Sequence, residues 1–162
     1  MKKGLILFFC LMLVIPMSAQ YVDLGLPSGT LWKVSNEDGF YTYPKAVSKF
    51  GKSLPTKEQL EELERYCDWK WGWTFKNGKG CTVTGRNGNQ IFFPASGYRD
   101  RDTWQLHCEG DGAWIWSSTY EDQIDAMEGT IPSGWIIMCR SYNPVQIFTL
   151  RISNGCSVRL VK

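Results

Sequence analysis

The chain has 162 residues, in which 18 lysines and arginines stand against 16 aspartates and glutamates, with a single histidine. A balance this close to neutral excludes the strongly basic surface that binding to nucleic-acid phosphates requires. The length suits one domain with a sizeable core, and its 8 tryptophans are more than the packing of such a domain needs.

The first residues have the form of a secretory signal peptide. Two lysines precede an unbroken apolar run over 5–15, and a proline and small residues follow that run. The run is too short to cross a bilayer as a stable helix, although a retained anchor is the alternative. We therefore expect cleavage after Ala19, with 1–19 as signal peptide. Residues 20–162 are then a single exported domain without a membrane span, located in the periplasm, at the cell surface or outside the cell.

A hairpin and a short helix open the exported part. Residues 21–33 alternate apolar and polar side chains around a Pro-Ser-Gly turn, which predicts two short antiparallel strands. Residues 43–51 favour a helix that ends at its glycine. The side of this helix that we expect to be buried carries Ala46, Val47 and Phe50.

The clearest local pattern is a second helix within residues 54–67. Thr56 stands three residues before Gln59, which predicts a capping box at the start of the helix. Apolar residues then recur at helical spacing. We therefore expect one buried face, made of Leu60, Leu63 and Cys67.

After the second helix the apolar period becomes that of a strand. Trp69, Trp71 and Trp73 share one face of an extended segment. Glycine-containing turns at 77–78 and 86–88 predict two successive hairpins.

The stretch GAWIWSST at 112–119 predicts a core strand. Trp114 and Trp116 point to one face and Ile115 to the other, so we expect both tryptophans in the core. An acidic loop is predicted next, over 120–129. Three strand-like runs complete the chain, at 134–139, 145–152 and 156–161. Helices that come early and strands that follow predict an α+β fold.

Five cysteines remain after signal cleavage, and outside the cytoplasm such thiols can pair. Their spacing leaves the pairing open and forms no C-x-x-C unit. The only histidine, His107, joins no recognisable zinc spacing, so we expect neither a metal site nor a cofactor. The five are Cys67, Cys81, Cys108, Cys139 and Cys156.

Several motifs carry a family resemblance. They are YVDLGLPSGTLW at 21–32, LPTKEQ at 54–59, the C-x-W-x-W of Cys67, Trp69 and Trp71, VTGRNGNQIFFPASGYR at 83–99, WSST at 116–119 and SVRLV at 157–161. With these motifs the chain resembles the bacterial family known as the Fibrobacter succinogenes major paralogous domain. The resemblance covers nearly all of residues 20–162.

The resemblance implies a C-type lectin-like fold, similar also to the core of formylglycine-generating enzymes. In such a fold the N-terminal and C-terminal strands pair, two helices flank them, and a long loop region carries any ligand site. Members are typically exported by gut-type bacteria and lack an assigned activity. Cys139 and Cys156 invite comparison with the copper-binding cysteine pair of formylglycine-generating enzymes, but the residues around them do not match.

Aromatic rings are the candidate contact residues, because exposed rings stack on sugars or anchor protein interfaces. Trp69 and Trp71 match the family motif, so we expect them to pack against the Leu60 face of the second helix. A glycan or protein ligand is expected to contact Trp73, Tyr98, Trp104, Tyr120, Tyr142 and Asn143.

Neither calcium nor catalysis is favoured. The acidic loop offers oxygen ligands, but the tripeptides with which sugar-binding C-type lectins hold calcium, Glu-Pro-Asn, Gln-Pro-Asp and Trp-Asn-Asp, do not occur. The sequence has no G-x-S-x-G, and nothing singles out a serine and an acid to join His107, so no catalytic residue is predicted. The acidic side chains of the loop are Glu121, Asp122, Asp125 and Glu128.

The sequence therefore favours an exported, non-enzymatic binding module for a glycan or protein ligand. Two alternatives stay open. One is a variable display protein of a diversity-generating retroelement, with residues 117–151 as the variable patch. The other is an exported enzyme of unknown reaction.

Overall fold

The computed structural model describes residues 21–74, 77–142 and 145–162. Its elements are β1 (Tyr21–Asp23), β2 (Leu31–Lys33), α1 (Tyr43–Phe50), α2 (Lys57–Tyr66), β3 (Asp68–Thr74), β4 (Gly78–Thr84), β5 (Gln90–Pro94), β6 (Tyr98–Arg99), β7 (Leu106–His107), β8 (Gly112–Asp125), β9 (Gly129–Arg140) and β10 (Gln146–Arg151). Two short helices with antiparallel sheets confirm the predicted α+β class. The predicted signal peptide lies outside the described residues, and no helix within them is long and apolar enough to cross a membrane.

The two longest strands, β8 and β9, form an antiparallel hairpin, and β10 pairs with the other edge of β9. Successive side chains of a strand point to opposite faces, so this sheet has a core on each side. Ile115 points into a cluster with Leu60 and Leu63 of α2, which we call the α2 core. Trp114 and Trp116 point into a second cluster, the α1 core. The predicted division of this strand between two faces is confirmed.

The α1 core holds the most deeply buried tryptophan of this strand. It comprises Tyr43, Ala46, Leu54, Trp114, Trp116, Ile136, Met138, Cys156 and Val158. Trp116 is 0 % exposed, and its Nε1 donates a hydrogen bond to the Tyr41 carbonyl at 2.7 Å. The Tyr43 ring meets the Trp116 ring edge-on, with ring centres 5.5 Å apart. Both predicted core tryptophans are therefore confirmed as core residues.

Helix α1 buries a narrower face than the sequence predicts. Tyr43 and Ala46 are buried, and Phe50 packs partly buried against the same cluster. Val47 is exposed, so its assignment to the buried side is wrong. The reason is helical geometry, because Val47 lies about 40° beyond Tyr43, at the margin of the stripe that Tyr43, Ala46 and Phe50 form, where a side chain stays open to solvent.

Helix α2 begins as predicted. The Thr56 side chain accepts a hydrogen bond from the Gln59 backbone N–H at 3.3 Å, and the Gln59 side chain accepts one from the Thr56 N–H at 2.9 Å. Leu60 and Leu63 are fully buried in the α2 core. Cys67 follows the last helical residue and is half-buried against that core.

Strands β3, β4 and β5 form a sheet in that order and pack one face on the α2 core. Trp69 stacks on Phe93 with ring centres 5.7 Å apart, and its Nε1 donates to the Leu63 carbonyl at 3.3 Å. Trp71 is also partly buried against the cluster that contains Leu60. The predicted packing of these two tryptophans on the α2 face is confirmed.

The beginning and the end of the described chain pair with each other. Leu31 and Lys162 exchange two backbone hydrogen bonds, and the Lys33 N–H donates to the Leu160 carbonyl at 2.9 Å. The rest of 156–161 forms isolated bridges with several neighbours rather than the predicted continuous strand. Within this segment the buried guanidinium of Arg159 donates to two backbone carbonyls and one side-chain oxygen.

The predicted acidic loop is mostly strand. Strand β8 continues to Asp125 and β9 begins at Gly129, with an irregularity in pairing between Trp116 and Tyr120. Only a short turn remains, in which Asp125 Oδ1 accepts hydrogen bonds from the backbone N–H groups of Met127 and Glu128. Cross-strand backbone pairing thus extends past the point where the side chains become polar, which a reading based on apolar residues does not detect.

Candidate ligand-binding site

The six predicted contact residues lie in separate places on the molecule. Trp73 and Tyr142 are the most exposed of them, at 65 % and 63 %. Trp104 and Tyr120 are exposed to a smaller degree, and Tyr98 is half-buried. Asn143 lies outside the described residues. Of the five that the structure describes, Tyr142 lines a surface cleft, and Trp73 lies outside the lining of that cleft.

The cleft has a volume of about 290 Å³ and opens between β3–β4 and the end of β9. We call it the aromatic cleft. Its walls include Trp69, Trp71, Cys81, Cys139, Arg140, Ser141, Tyr142 and Val145. It therefore joins one predicted contact residue to seven residues that sequence reasoning did not assign to a site.

One wall is a row of tryptophans on β3. Trp69, Trp71 and Trp73 occupy alternate positions of the strand and so share its face. Exposure increases along the row, from two half-buried rings that line the cleft to the exposed Trp73 at the hairpin end. Trp71 pairs across the ladder with Cys81, and Trp73 pairs with Lys79. Trp73 thus continues outward the aromatic face that lines the cleft.

The opposite wall is organised by Arg140 at the end of β9. Its guanidinium carbon lies 4.5 Å from the centre of the Tyr142 ring and 5.5 Å from the Trp114 ring. Its Nη2 donates to Asp111 Oδ2 at 2.6 Å, and Asp111 Oδ1 accepts from the Ser141 hydroxyl at 2.9 Å. These contacts hold Tyr142 at the cleft edge.

Electrostatics reinforce this wall. Hydrogen bonds from Arg140 and Ser141 hold the pKa of Asp111 below its ordinary value, so the carboxylate is charged at neutral pH. Arg140 Nε is buried and makes no hydrogen bond to any described residue. Its Nη2 is the nitrogen that forms the ion pair with Asp111. The guanidinium carbon of Arg140 also lies 5.5 Å from the buried Trp114 ring, so Arg140 links the cleft wall to the core.

Tyr98 lies behind this network rather than in the cleft. Its ring is 5.1 Å from Trp114 and 5.6 Å from His107, and burial raises the pKa of its hydroxyl. Trp104 lies between β6 and β7, where its ring contacts Gly155. Tyr120 lies on β8 beyond the pairing irregularity and hydrogen-bonds Asp122. None of these three lines the cleft.

The thiols of Cys81 and Cys139 meet beside the cleft. A side-chain hydrogen bond joins them, which lowers the pKa of Cys81 and raises that of Cys139. Both are free, as are the other three cysteines of the described chain. Neither residue was distinguished by sequence, because 58 residues separate β4 from β9 at this point and only tertiary contact brings them together.

The acidic side chains of the β8–β9 arm each serve a local contact. Glu121 accepts a hydrogen bond from Trp135 Nε1 at 2.7 Å, and Glu128 forms an ion pair with Arg151. Asp125 caps the turn. Across the described ranges, no three His, Cys, Asp or Glu residues lie close enough together to hold a metal ion.

Comparisons of the chain with protein-family models, with curated proteins and with solved structures find no match.

Proposed function

We propose that the protein is a non-enzymatic binding module that recognises a glycan in the aromatic cleft. The observation that carries the proposal is the row of indole rings on β3, which leads from the cleft to the exposed Trp73. Sugar rings have apolar C–H faces that stack on such planes, and a rim of hydroxyls that requires hydrogen bonds.

The cleft offers both kinds of contact. Trp69, Trp71 and Tyr142 supply planar rings, and Ser141 and Arg140 supply polar groups in the same lining. A volume near 290 Å³ is at the lower end of small-molecule sites, about 300 Å³, which favours the end of a glycan chain over a long segment. A few polar groups among aromatic walls are the usual composition of such a site.

The fold, family and location belong to the same proposal. We infer a C-type lectin-like domain of the Fibrobacter succinogenes major paralogous type, exported through an N-terminal signal peptide. The pairing of Leu31 with Lys162 and the two helices ahead of the sheets support this assignment. The motifs and the lysine-plus-apolar start of the sequence support the family and the export.

The alternative, a variable display protein, predicts that only one wall of the cleft varies. A variable patch over 117–151 includes Arg140 and Tyr142, but it leaves out the tryptophan row of β3. A glycan module instead needs both walls. Natural variants that change only the 117–151 wall, encoded beside a reverse transcriptase gene, would favour the display protein.

The test is a glycan-array screen with the full chain, followed by titration calorimetry on the best glycan. Trp73→Ala and Tyr142→Ala are each expected to weaken binding by about tenfold or more, because each removes a stacking plane. Trp104→Ala is the matched control, since it removes an exposed aromatic ring away from the cleft, and it should bind as the parent does. Unchanged affinity in both Trp73→Ala and Tyr142→Ala, with circular dichroism showing a folded chain, contradicts the proposal.

A further inference from the structure

Two buried thiols from different sheets meet at the aromatic cleft. Cys81 lies on β4 and Cys139 on β9, and both belong to the α2 core. Both also line the cleft, so they lie at the boundary between core and solvent. Their shared place in this cluster and in the cleft lining makes the two residues neighbours, and a side-chain hydrogen bond joins them.

The other described thiols have different surroundings. Cys156 is fully buried in the α1 core, on the opposite face of the β8–β9 sheet. Cys67 follows α2, and burial raises the pKa of its thiol to about 11. Cys108 lies 3.8 Å from Arg140 Nη2. Cys81 and Cys139 are therefore distinguished by their mutual contact and by their shared access to the cleft.

We propose that Cys81 and Cys139 are a modification site, at which a small disulfide such as oxidised glutathione converts the two thiols into a reversible disulfide. One cysteine thiolate attacks a glutathione sulfur, which forms a mixed disulfide and releases one glutathione thiol. The second cysteine then attacks the first cysteine sulfur and releases the other glutathione thiol. Two protein thiols are oxidised, one glutathione disulfide is reduced to two thiols, and the two thiol protons leave with the glutathione.

The surroundings favour this exchange at the cleft. The thiolate is the attacking species, and the hydrogen bond from Cys139 lowers the pKa of Cys81, so Cys81 is the first to attack. Cys139, whose pKa the same contact raises, then closes the disulfide. Both side chains are buried, at 3 % and 4 % exposed, and the cleft that both residues line is the proposed route of the reagent to them.

The bond would tie together two walls of the cleft. Cys81 is the ladder partner of Trp71, and Cys139 directly precedes Arg140. The disulfide would link the β3–β5 sheet covalently to the β8–β10 sheet and close a loop of about 60 residues. The oxidised protein is expected to be more resistant to heat, and its cleft walls are fixed relative to each other.

The experiment incubates the folded full chain in buffers with a graded ratio of oxidised to reduced glutathione. Remaining thiols are then blocked with an alkylating reagent, and peptides are mapped by mass spectrometry. We expect a Cys81–Cys139 cross-linked peptide that is lost on adding dithiothreitol and that does not form in Cys139→Ser. Cys156→Ser is the control and should form it as the parent does.

A second readout covers the case in which a serine variant does not fold. Reduction of the oxidised parent chain should lower its melting temperature by about 10 °C, because the closed loop restricts the unfolded state. Complete alkylation of Cys81 and Cys139 at every glutathione ratio overturns the proposal, and so does a peptide that joins either residue to a different cysteine. Glycan binding is not used in this experiment, so its outcome is independent of the proposed function.

Discussion

The sequence contains tryptophans at alternate positions twice, in β3 and in β8, and the structure uses the two sets differently. In β8, Trp114 and Trp116 are both buried in the α1 core. In β3, the corresponding row ends in Trp73, which is 65 % exposed. The spacing fixes in both cases that the rings share a face, but what covers that face differs.

The difference comes from the neighbours of each strand. Strand β8 has β9 on one edge, and on the other edge Ser157 bonds to the backbone of Trp114 and Trp116. Helix α1 then closes over their face through Tyr43. Strand β3 is an edge strand, and its far end forms a hairpin with β4. Trp73 at that end stays 65 % exposed, so part of its ring faces solvent.

The largest expected effect is a difference in unfolding free energy between variants of the two tryptophan rows. Trp116→Ala should lower the free energy of unfolding by about 3 to 5 kcal/mol, because it leaves a cavity in the core and removes one of the two hydrogen bonds that the Tyr41 carbonyl accepts. Trp73→Ala should change it by no more than about 0.5 kcal/mol, as expected for an exposed site. Urea denaturation followed by tryptophan fluorescence and circular dichroism measures both. Equal losses in the two variants would remove the distinction between core row and binding row.

A smaller effect is expected where the two regions join. Arg140→Met removes a cation from between the Trp114 and Tyr142 rings and breaks the ion pair with Asp111. We expect a loss of about 1 to 2 kcal/mol in unfolding free energy. Glycan affinity should fall by about tenfold, because Tyr142 is no longer held at the cleft edge.

Arg140→Lys is the companion variant for this test. It keeps the charge but not the planar group that stacks on the rings, so it should restore only part of the affinity. If Arg140→Met binds glycan as well as the parent does, the wall formed by Arg140 and Tyr142 is not part of the site.

The next variant weakens the N-terminal cap of α2, the helix on which the half-buried tryptophans of β3 pack. Thr56→Ala removes a side-chain acceptor from the Gln59 N–H and should lower the unfolding free energy by about 1 kcal/mol. Thr56→Ser retains the hydroxyl and should be close to the parent. Thermal denaturation of the three proteins measures the difference. A Thr56→Ala protein as stable as the parent would mean that the cap contributes nothing measurable to α2.

The smallest expected effect is a pH dependence. The folded pKa of Asp111 is depressed by Arg140 and Ser141, so its contribution is present above the ordinary value of 3.8 and is lost as the pH falls through the folded pKa. Asp111→Asn should therefore unfold at a slightly lower urea concentration than the parent at pH 7, and this difference should shrink as the pH falls below 3.8. A difference that grows towards low pH would contradict this sign.

Much of the local structure follows from short-range sequence patterns. The capping box fixes the start of α2, because Thr56 and Gln59 are in the same turn. The alternation in GAWIWSST fixes the division of β8 between two faces. Patterns of this kind fail where backbone pairing continues through polar residues, as in the β8–β9 arm.

Sequence patterns identified only some residues of the candidate site. Trp73 and Tyr142 can be picked from sequence as aromatic residues near predicted turns. Trp71, Arg140 and the two cysteines cannot, because they become neighbours only when β4 packs against β9. The exposure of each ring likewise depends on which element covers it.

The sequence by itself determined the early helices, the hairpins, the α+β class and the shared faces of the two tryptophan rows, since these depend on contacts between residues close in the chain. The tertiary structure alone decided that Trp73 stays exposed at the end of β3, that Arg140 links Tyr142 to Trp114, and that Cys81 and Cys139 become neighbours. The physical reason is that burial and charge pairing depend on packing between distant segments, which no local period encodes.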